Sequence, residues 1–242
     1  MFKELSIIFT GGSGLLGSEF RRILKGINYP SSEEFDITNY NQMTEYVKLH
    51  KCKLIIHAAA VASPPLADKN PLEALEVNVI GTSNVVKICM KYDIRLIYIS
   101  TDYVFKGDRG NYNENDAVSP INKYAWSKLG GECAARMYDK SLIVRTSFGP
   151  DVFPYEKAFT DQWTSRESVS IIARKITRLI DKELTGVIHI GGNRKTVFEY
   201  AKGLDQTKDI GELSINDVSF IAPGDTSLNC EKYNRIIGEL LS

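Results

Sequence analysis

Cysteine is scarce and scattered in this chain of 242 residues: Cys52, Cys89, Cys133 and Cys230 form no CxxC pair and no Cys/His cluster. That pattern excludes a disulfide or zinc framework and reads as reduced thiols of a cytosolic protein. Long apolar runs are missing, since none approaches the ~20 residues that span a bilayer. The apolar start from Met1 to Phe9 is short, interrupted by Glu4, and gives way at once to glycines. It does not read as a signal peptide, so a cytoplasmic protein without a membrane partner is expected. Charge of one sign is also missing, with 30 basic side chains against 30 acidic ones. Nothing in that balance points to a nucleic-acid partner. Internal repeats and low-complexity tracts are absent too.

What is present is an alternation of short apolar runs with longer amphipathic stretches. The runs Leu5–Thr10, Leu54–His57, Leu96–Ser100, Ser141–Arg145 and Val187–Ile190 read as strands, with a poorly defined one near Ile27–Tyr29. Between them, Leu15–Lys25, about Asn39 to His50, Pro71–Tyr92, Pro120–Tyr138 and about Ser168 to Lys182 read as helices. Continuously apolar strands separated by helices predict an α/β fold, a doubly wound parallel sheet of Rossmann type covered on both faces. The pattern weakens over Gly149–Arg166 and Gly203–Ser227, where Pro, Gly and polar residues accumulate. The expected organisation is therefore a dinucleotide-binding domain over residues 1–148. Residues 149–242 would complete the sheet through about 168–192 and form a small C-terminal substrate-binding lobe.

The first strand runs into Gly11-Gly12-Ser13-Gly14-Leu15-Leu16-Gly17, a GxxGxxG pattern at a strand-to-helix turn. The first glycine suits a tight turn, the second a close approach of backbone to pyrophosphate, and the third the packing of helix on strand. The helix start offers free N–H groups and the positive end of its dipole to phosphates. No acid occupies Asn28 to Ser32, where a carboxylate would hold a ribose 2′-hydroxyl, and Glu33 and Glu34 come slightly late. Arg21 and Arg22 face either a 2′-phosphate or solvent, so the cofactor is NADPH or NADH with the balance towards NADPH. Asp36 either bonds an adenine amino group or, like Thr38, caps the next helix. His57 reads as a structural residue at a strand end, followed by the small residues Ala58, Ala59 and Ala60 against which a flat cofactor can lie.

Twenty-three residues after Thr101 comes Tyr124-Ala125-Trp126-Ser127-Lys128 on an expected helix. The i, i+4 spacing sets phenol and ammonium on one face. A neighbouring ammonium favours phenolate and lowers the phenol's pKa. Such a tyrosine can give a proton to a carbonyl oxygen that Thr101 also hydrogen-bonds.

Gly11 to Gly17, His57 to Ala60, Thr101 and the Tyr124/Lys128 pair together resemble the extended short-chain dehydrogenase/reductase superfamily. Within it, Ser100 to Phe105, Pro120 to Glu132, Val144 to Ser147 and Gly186 to Gly192 resemble the dTDP-4-dehydrorhamnose reductases. Asp161-Gln162 and Ser227-Leu228 are fainter echoes. The resemblance implies a reductase of a nucleotide-linked 4-keto-6-deoxy sugar, as in dTDP-rhamnose and polysaccharide biosynthesis. It implies Thr101, Tyr124 and Lys128 as catalytic residues, with Tyr124 the proton donor, and Asp102 and Phe148 beside the substrate. Cofactor contacts would fall on Gly11, Gly14, Leu15, Leu16, Gly17, Asp36, Ile37, Ala58, Ala59, Ala60, Tyr124 and Lys128. The helices Pro71–Tyr92 and Pro120–Tyr138 would either form a homodimer interface or only cover the sheet.

The chain departs from those reductases where substrate is held. Phe148 stands where a tryptophan is usual, Ala62 to Ala67 replaces an acidic segment, and Ala222-Pro223 lacks the usual arginine. The stretch from Gly149 to Asp161 is also short. Tyr103 after Asp102 removes the Asp-Glu pair that a sugar dehydratase uses. An epimerase of the same superfamily and a non-catalytic NADP-binding regulatory subunit are the alternatives.

Overall fold

The computed structural model describes residues 6–238. Strands β1 (Ile7–Thr10), β2 (Leu54–His57) and β3 (Arg95–Thr101) lie side by side with β4 (Ser141–Thr146) and, farther along the chain, β9 (Gly186–Ile190). All neighbours are parallel, in the order β1-β2-β3-β4-β9. The expected doubly wound sheet is present. Leu5, expected to open the first strand, lies outside the described residues.

Alternate residues of each strand feed two cores, as the pleat requires. Ile7, Phe9, Ile97, Ile99 and Val144 face helices α1 (Leu15–Ile23), α7 (Val169–Thr177) and α9 (Glu231–Gly238). Ile8, Ile55, Leu96, Tyr98 and Ile143 face α2 (Tyr40–His50), α5 (Thr82–Tyr92) and α6 (Lys123–Arg136). Among the described residues no helix is long and apolar enough to cross a membrane.

Three expected elements differ. The strand near Ile27–Tyr29 shrinks to one bridge: Asn28 exchanges two backbone bonds with β1 at 2.8 Å each, and Pro30 then leaves the chain without a donor. The expected helix Pro71–Tyr92 is α4 (Pro71–Ala74), a π-helical stretch at Leu75–Gly81 and then α5. The helix expected to reach Lys182 stops at Thr177. A short helix, α3 (Pro64–Lys69), was not expected. Its two prolines sit in the first turn, where a missing N–H costs nothing.

Beyond the carboxyl ends of the sheet the chain builds a cover from short pairs. Strand β5 (Phe148–Gly149) pairs with β8 (Glu167–Ser168), and β6 (Lys157–Phe159) with β11 (Gly211–Leu213). Strand β7 (Trp163–Thr164) pairs with β10 (Lys195–Thr196). Helix α8 (Val197–Leu204) opens with a capping box between Thr196 and Glu199 and packs Val197, Tyr200 and Ala201 on Phe153, Ala158 and Ile210.

Candidate active site

The turn from β1 into α1 works through its backbone. Gly11 has φ +76°, and a Cβ there would sit 2.7 Å from the Ala59 nitrogen. A Cβ on Gly17 would strike the Gly11 carbonyl and approach Gly12 Cα to 2.6 Å. Both positions therefore require glycine for the turn itself. Gly14 differs: a Cβ there meets only the Gly11 carbonyl, at 3.3 Å. Gly14 is also the N-cap of α1, and no side chain caps that helix and no acid lies in its first turn. Its first N–H groups are thus left for a ligand, and an anion is the group they suit.

A cavity of about 540 Å³ opens over this turn. Gly11, Gly14, Leu15, Leu16, Gly17, Asp36, Ile37, Ala58, Ala59 and Ala60 all line it, so the structure brings these expected cofactor residues together. Asp36 does not cap α2, because Asn39 does so by accepting from the Gln42 N–H; Asp36 Oδ1 instead binds the Thr38 N–H and hydroxyl. Arg21 lines the cavity, donating to the Gly12 and Tyr29 carbonyls, whereas Arg22 turns away and pairs with Glu19. The Glu34 carboxylate is spent on the Ser31 N–H at 2.8 Å. His57 is fully buried between the hydroxyls of Thr10 (2.7 Å) and Thr82 (3.0 Å), as a structural histidine should be. Burial pushes its imidazole down to about 3.

A second cavity of about 380 Å³ adjoins the first, sharing Leu15, Ala58, Ala60, Ile99 and Phe148. Thr101, Asp102, Tyr124 and Lys128 line it. Thr101 arrives at the end of β3, while Tyr124 and Lys128 come from the first turns of α6, whose N-terminus Asn122 caps by accepting from Ala125. The Lys128 ammonium, almost wholly buried, donates to the Ile99 carbonyl at 2.8 Å and lies 4.5 Å from the Tyr98 ring centroid. Burial lowers its pKa to about 7, with Glu132 acting in the opposite direction. Burial raises the Tyr124 phenol, while the Thr101 hydroxyl and the Arg166 charge pull it down. The expected lowering by Lys128 is therefore not what the fold delivers. Desolvation dominates, and the phenol is held as the protonated acid. Thr146, paired in register with Thr101, has a buried hydroxyl without a protein partner on this same cavity. Such an orphan in a polar cleft is a group left for a ligand.

Asp102 is buried, and its carboxylate accepts from Thr226 at 2.6 Å, Thr101 at 3.2 Å and Thr164 at 3.3 Å. It lines the cavity but is spent on hydroxyls. Burial raises its pKa against those bonds. Gln162 donates to the Tyr103 hydroxyl and the Pro223 carbonyl, tying the cover to the end of β3.

A third cavity, of about 460 Å³, continues from the second and carries Phe153, Tyr155, Phe159 and Phe220. The two meet at a waist formed by Ser63, Pro64, Tyr103, Tyr155 and Arg166. Arg166 supplies the cation of that waist; its Nε reaches the Ser147 hydroxyl at 3.4 Å. Sequence reasoning missed Arg166, Tyr155 and the aromatic chamber. A single arginine in an irregular stretch carries no periodic signal, and Phe153 and Phe220 come to one cavity only in the folded chain.

The family described as the RmlD substrate binding domain matches residues 5–156. A dTDP-4-keto-6-deoxy-D-glucose reductase of Streptomyces niveus is 30% identical over 75% of this chain and 71% of its own length. The methionine adenosyltransferase 2 subunit beta of Pongo abelii is 26% identical over 81% of this chain and 70% of its own length. Among solved structures, the dTDP-4-dehydrorhamnose reductase of Bacillus anthracis str. Ames in complex with NADP superposes with a TM-score of 0.86 at 29% identity. That likeness covers 97% of this chain and 92% of the other.

Proposed function

The chain belongs to the RmlD substrate binding domain family, and from that premise we propose that it is an NAD(P)H-dependent reductase of the C4 carbonyl of a nucleotide-linked 6-deoxy sugar. The observation that carries this reading is continuity. One cavity lined by the glycine turn opens into a second lined by Thr101, Tyr124 and Lys128, and that into an aromatic third with Arg166 at its waist. A cleft with a cation between a reaction chamber and an aromatic chamber fits a sugar and a flat base joined by an anionic diphosphate.

Residues 1–148 are read as the dinucleotide-binding part, and residues 149–242 as completing the sheet and covering the substrate. Gly11, Gly14, Gly17, the start of α1, Asp36, Ile37 and Ala58 to Ala60 would hold the dinucleotide, with Arg21 favouring NADPH over NADH. The bound nicotinamide supplies a hydride. Tyr124, kept protonated by burial, gives its proton to the carbonyl oxygen, and Thr101 hydrogen-bonds that oxygen once its hydroxyl turns from Asp102. Lys128 would hold the cofactor ribose and keep a positive charge beside the developing phenolate. Phe148 walls both the cofactor and the reaction cavities, which supports its reading as a substrate neighbour.

The likeness to a subunit named for methionine adenosyltransferase favours a second reading, a regulatory protein that keeps the fold without turnover. The test is NADPH fluorescence in the presence of nucleoside-diphosphate 4-ketosugars: decay supports the reductase, and binding without decay supports the subunit.

A further inference from the structure

Glu132 lines none of the three cavities, yet it is fully buried one helical turn beyond Lys128. Its carboxylate accepts from the Ser100 hydroxyl at 3.0 Å. It also accepts from Arg145 at 2.5 and 3.1 Å and from Arg136 at 3.1 and 3.2 Å. Ser100 sits between Ile99, whose carbonyl takes the Lys128 ammonium, and Thr101. Arg145 precedes Thr146 on the next strand and is itself fully exclude from solvent.

We propose that Glu132 is a positioning residue of the site: it bolts the end of β3 to α6 through Ser100 and is the buried anion that keeps Lys128 charged. The inference rests on the reductase reading only for the use to which that charge is put. Glu132 stands four residues after Lys128 on the same helix, and its carboxylate reaches Ser100, the neighbour of the Ile99 carbonyl that holds the Lys128 ammonium, so a buried anion and a buried cation meet adjacent residues of one strand.

The groups facing Lys128 make the direction unambiguous. Tyr124 and Glu132 share its helix, His57 faces it from β2, Tyr98 and the Ile99 carbonyl from β3, and Arg145 lies beyond Glu132 on β4. Asp102 and Arg166 share its cavity, and Asp102 is spent on three threonines. His57 is held neutral, and the tyrosines are held protonated. Glu132 is the anion that opposes the desolvation of the ammonium.

The experiment is a 13C NMR titration of the folded full chain with lysine labelled at Cε, the Lys128 signal being assigned by its loss in Lys128→Met. In wild type, Lys128 should titrate near neutral pH. In Glu132→Gln it should titrate about one pH unit lower, the size of a lost neighbouring charge. Arg136 is half exposed at the helix end, so Arg136→Gln should fold even where Glu132→Gln does not. It removes a cation that competes for Glu132 and should raise the Lys128 titration by a few tenths of a unit. An unmoved Lys128 signal in both folded variants, or a downward shift in Arg136→Gln, overturns the proposal. The titration involves no substrate, so a chain that fails to consume NADPH with 4-ketosugars would sink the reductase reading while leaving this result to stand or fall separately.

Discussion

Gly11 to Gly17 line their cavity with seven consecutive residues, and two of the three glycines are dictated by backbone that a Cβ would strike. The opposite end of the cleft is assembled from afar. Asp102 takes Thr164 from 62 residues away and Thr226 from 124, and Gln162 reaches Tyr103 across 59. A backbone cradle for phosphate is a local object that a short motif can encode, because every residue has an N–H and only glycine lets it come close. A substrate chamber needs particular side chains, and these converge only when the cover folds on the sheet. The cofactor end should therefore be the more sharply defined by sequence and the substrate end the more easily respecified.

The largest effect should separate chemistry from binding at the junction of the two ends. Tyr124→Phe keeps the ring, so kcat should fall roughly 10²–10⁴-fold while NADPH affinity hardly changes. Lys128→Met should damage both, and Thr101→Val should cost less than either. Steady-state kinetics with an accepted 4-ketosugar, beside NADPH titrations, checks this. Near-wild-type turnover in Tyr124→Phe would move the proton donor to Tyr103, Asp102 or water.

Acid should strain the sheet itself through its two buried histidines. His57 on β2 is held down to about 3, and His189 on β9, bonded to the Tyr112 carbonyl, to about 4, in both cases chiefly by burial. The folded values lie below the unfolded one near 6.5, so the unfolded chain takes up more protons in acid. The stability each neutral histidine contributes is complete above about pH 6.5 and is lost as pH falls towards 4 and 3. Each should cost about 2 kcal/mol by pH 5. Urea unfolding at pH 7 and pH 5 should show the loss, and a pH-independent midpoint would contradict it.

Two glycines sharpen the comparison within the cofactor end. Gly17→Ala meets the backbone of both Gly11 and Gly12 and should lower stability by about 1–3 kcal/mol even without ligand. Gly14→Val brings its Cβ to 3.3 Å from the Gly11 carbonyl, so it should cost less stability than Gly17→Ala while weakening NADH and NADPH alike about tenfold or more. Calorimetry distinguishes them. Equal affinity in Gly14→Val would mean that the turn does not cradle phosphates.

The smallest effect belongs to the substrate end. Arg166→Met should raise KM for the sugar nucleotide about tenfold, the worth of one partly exposed charge-assisted contact, and leave NADPH affinity alone. A change in cofactor affinity instead would mean that the cation serves the other chamber.

Much of this was legible in the residues before folding. The five strands of the sheet and its parallel order follow from apolar runs divided by amphipathic ones. The GxxGxxG turn and the Tyr124/Lys128 spacing are each local patterns whose geometry a helix or tight turn enforces. Less legible was the π-helical stretch at Leu75–Gly81, which places the buried Asn78 where it bonds Val61 and the Ser127 hydroxyl between Tyr124 and Lys128. One extra residue in a helical turn leaves hydrophobic periodicity almost unchanged. The near-loss of the strand at Asn28 was equally hidden, because Tyr29 and Ile27 are apolar enough for a strand and only the partner edge decides how far pairing runs.

By itself, the sequence determined which runs form strands and helices, the glycine turn and which side of α6 carries the phenol and the ammonium, since these depend on patterns among residues a few positions apart. Tertiary structure alone decided their chemical state and surroundings. It enclosed Tyr124 enough for desolvation to raise its phenol, aimed the Lys128 ammonium at Ile99, and set Glu132 between two arginines. It also brought Arg166 and the four aromatic rings to one cleft. Dielectric environment and long-range convergence belong to the packed whole, and no spacing along the chain records them.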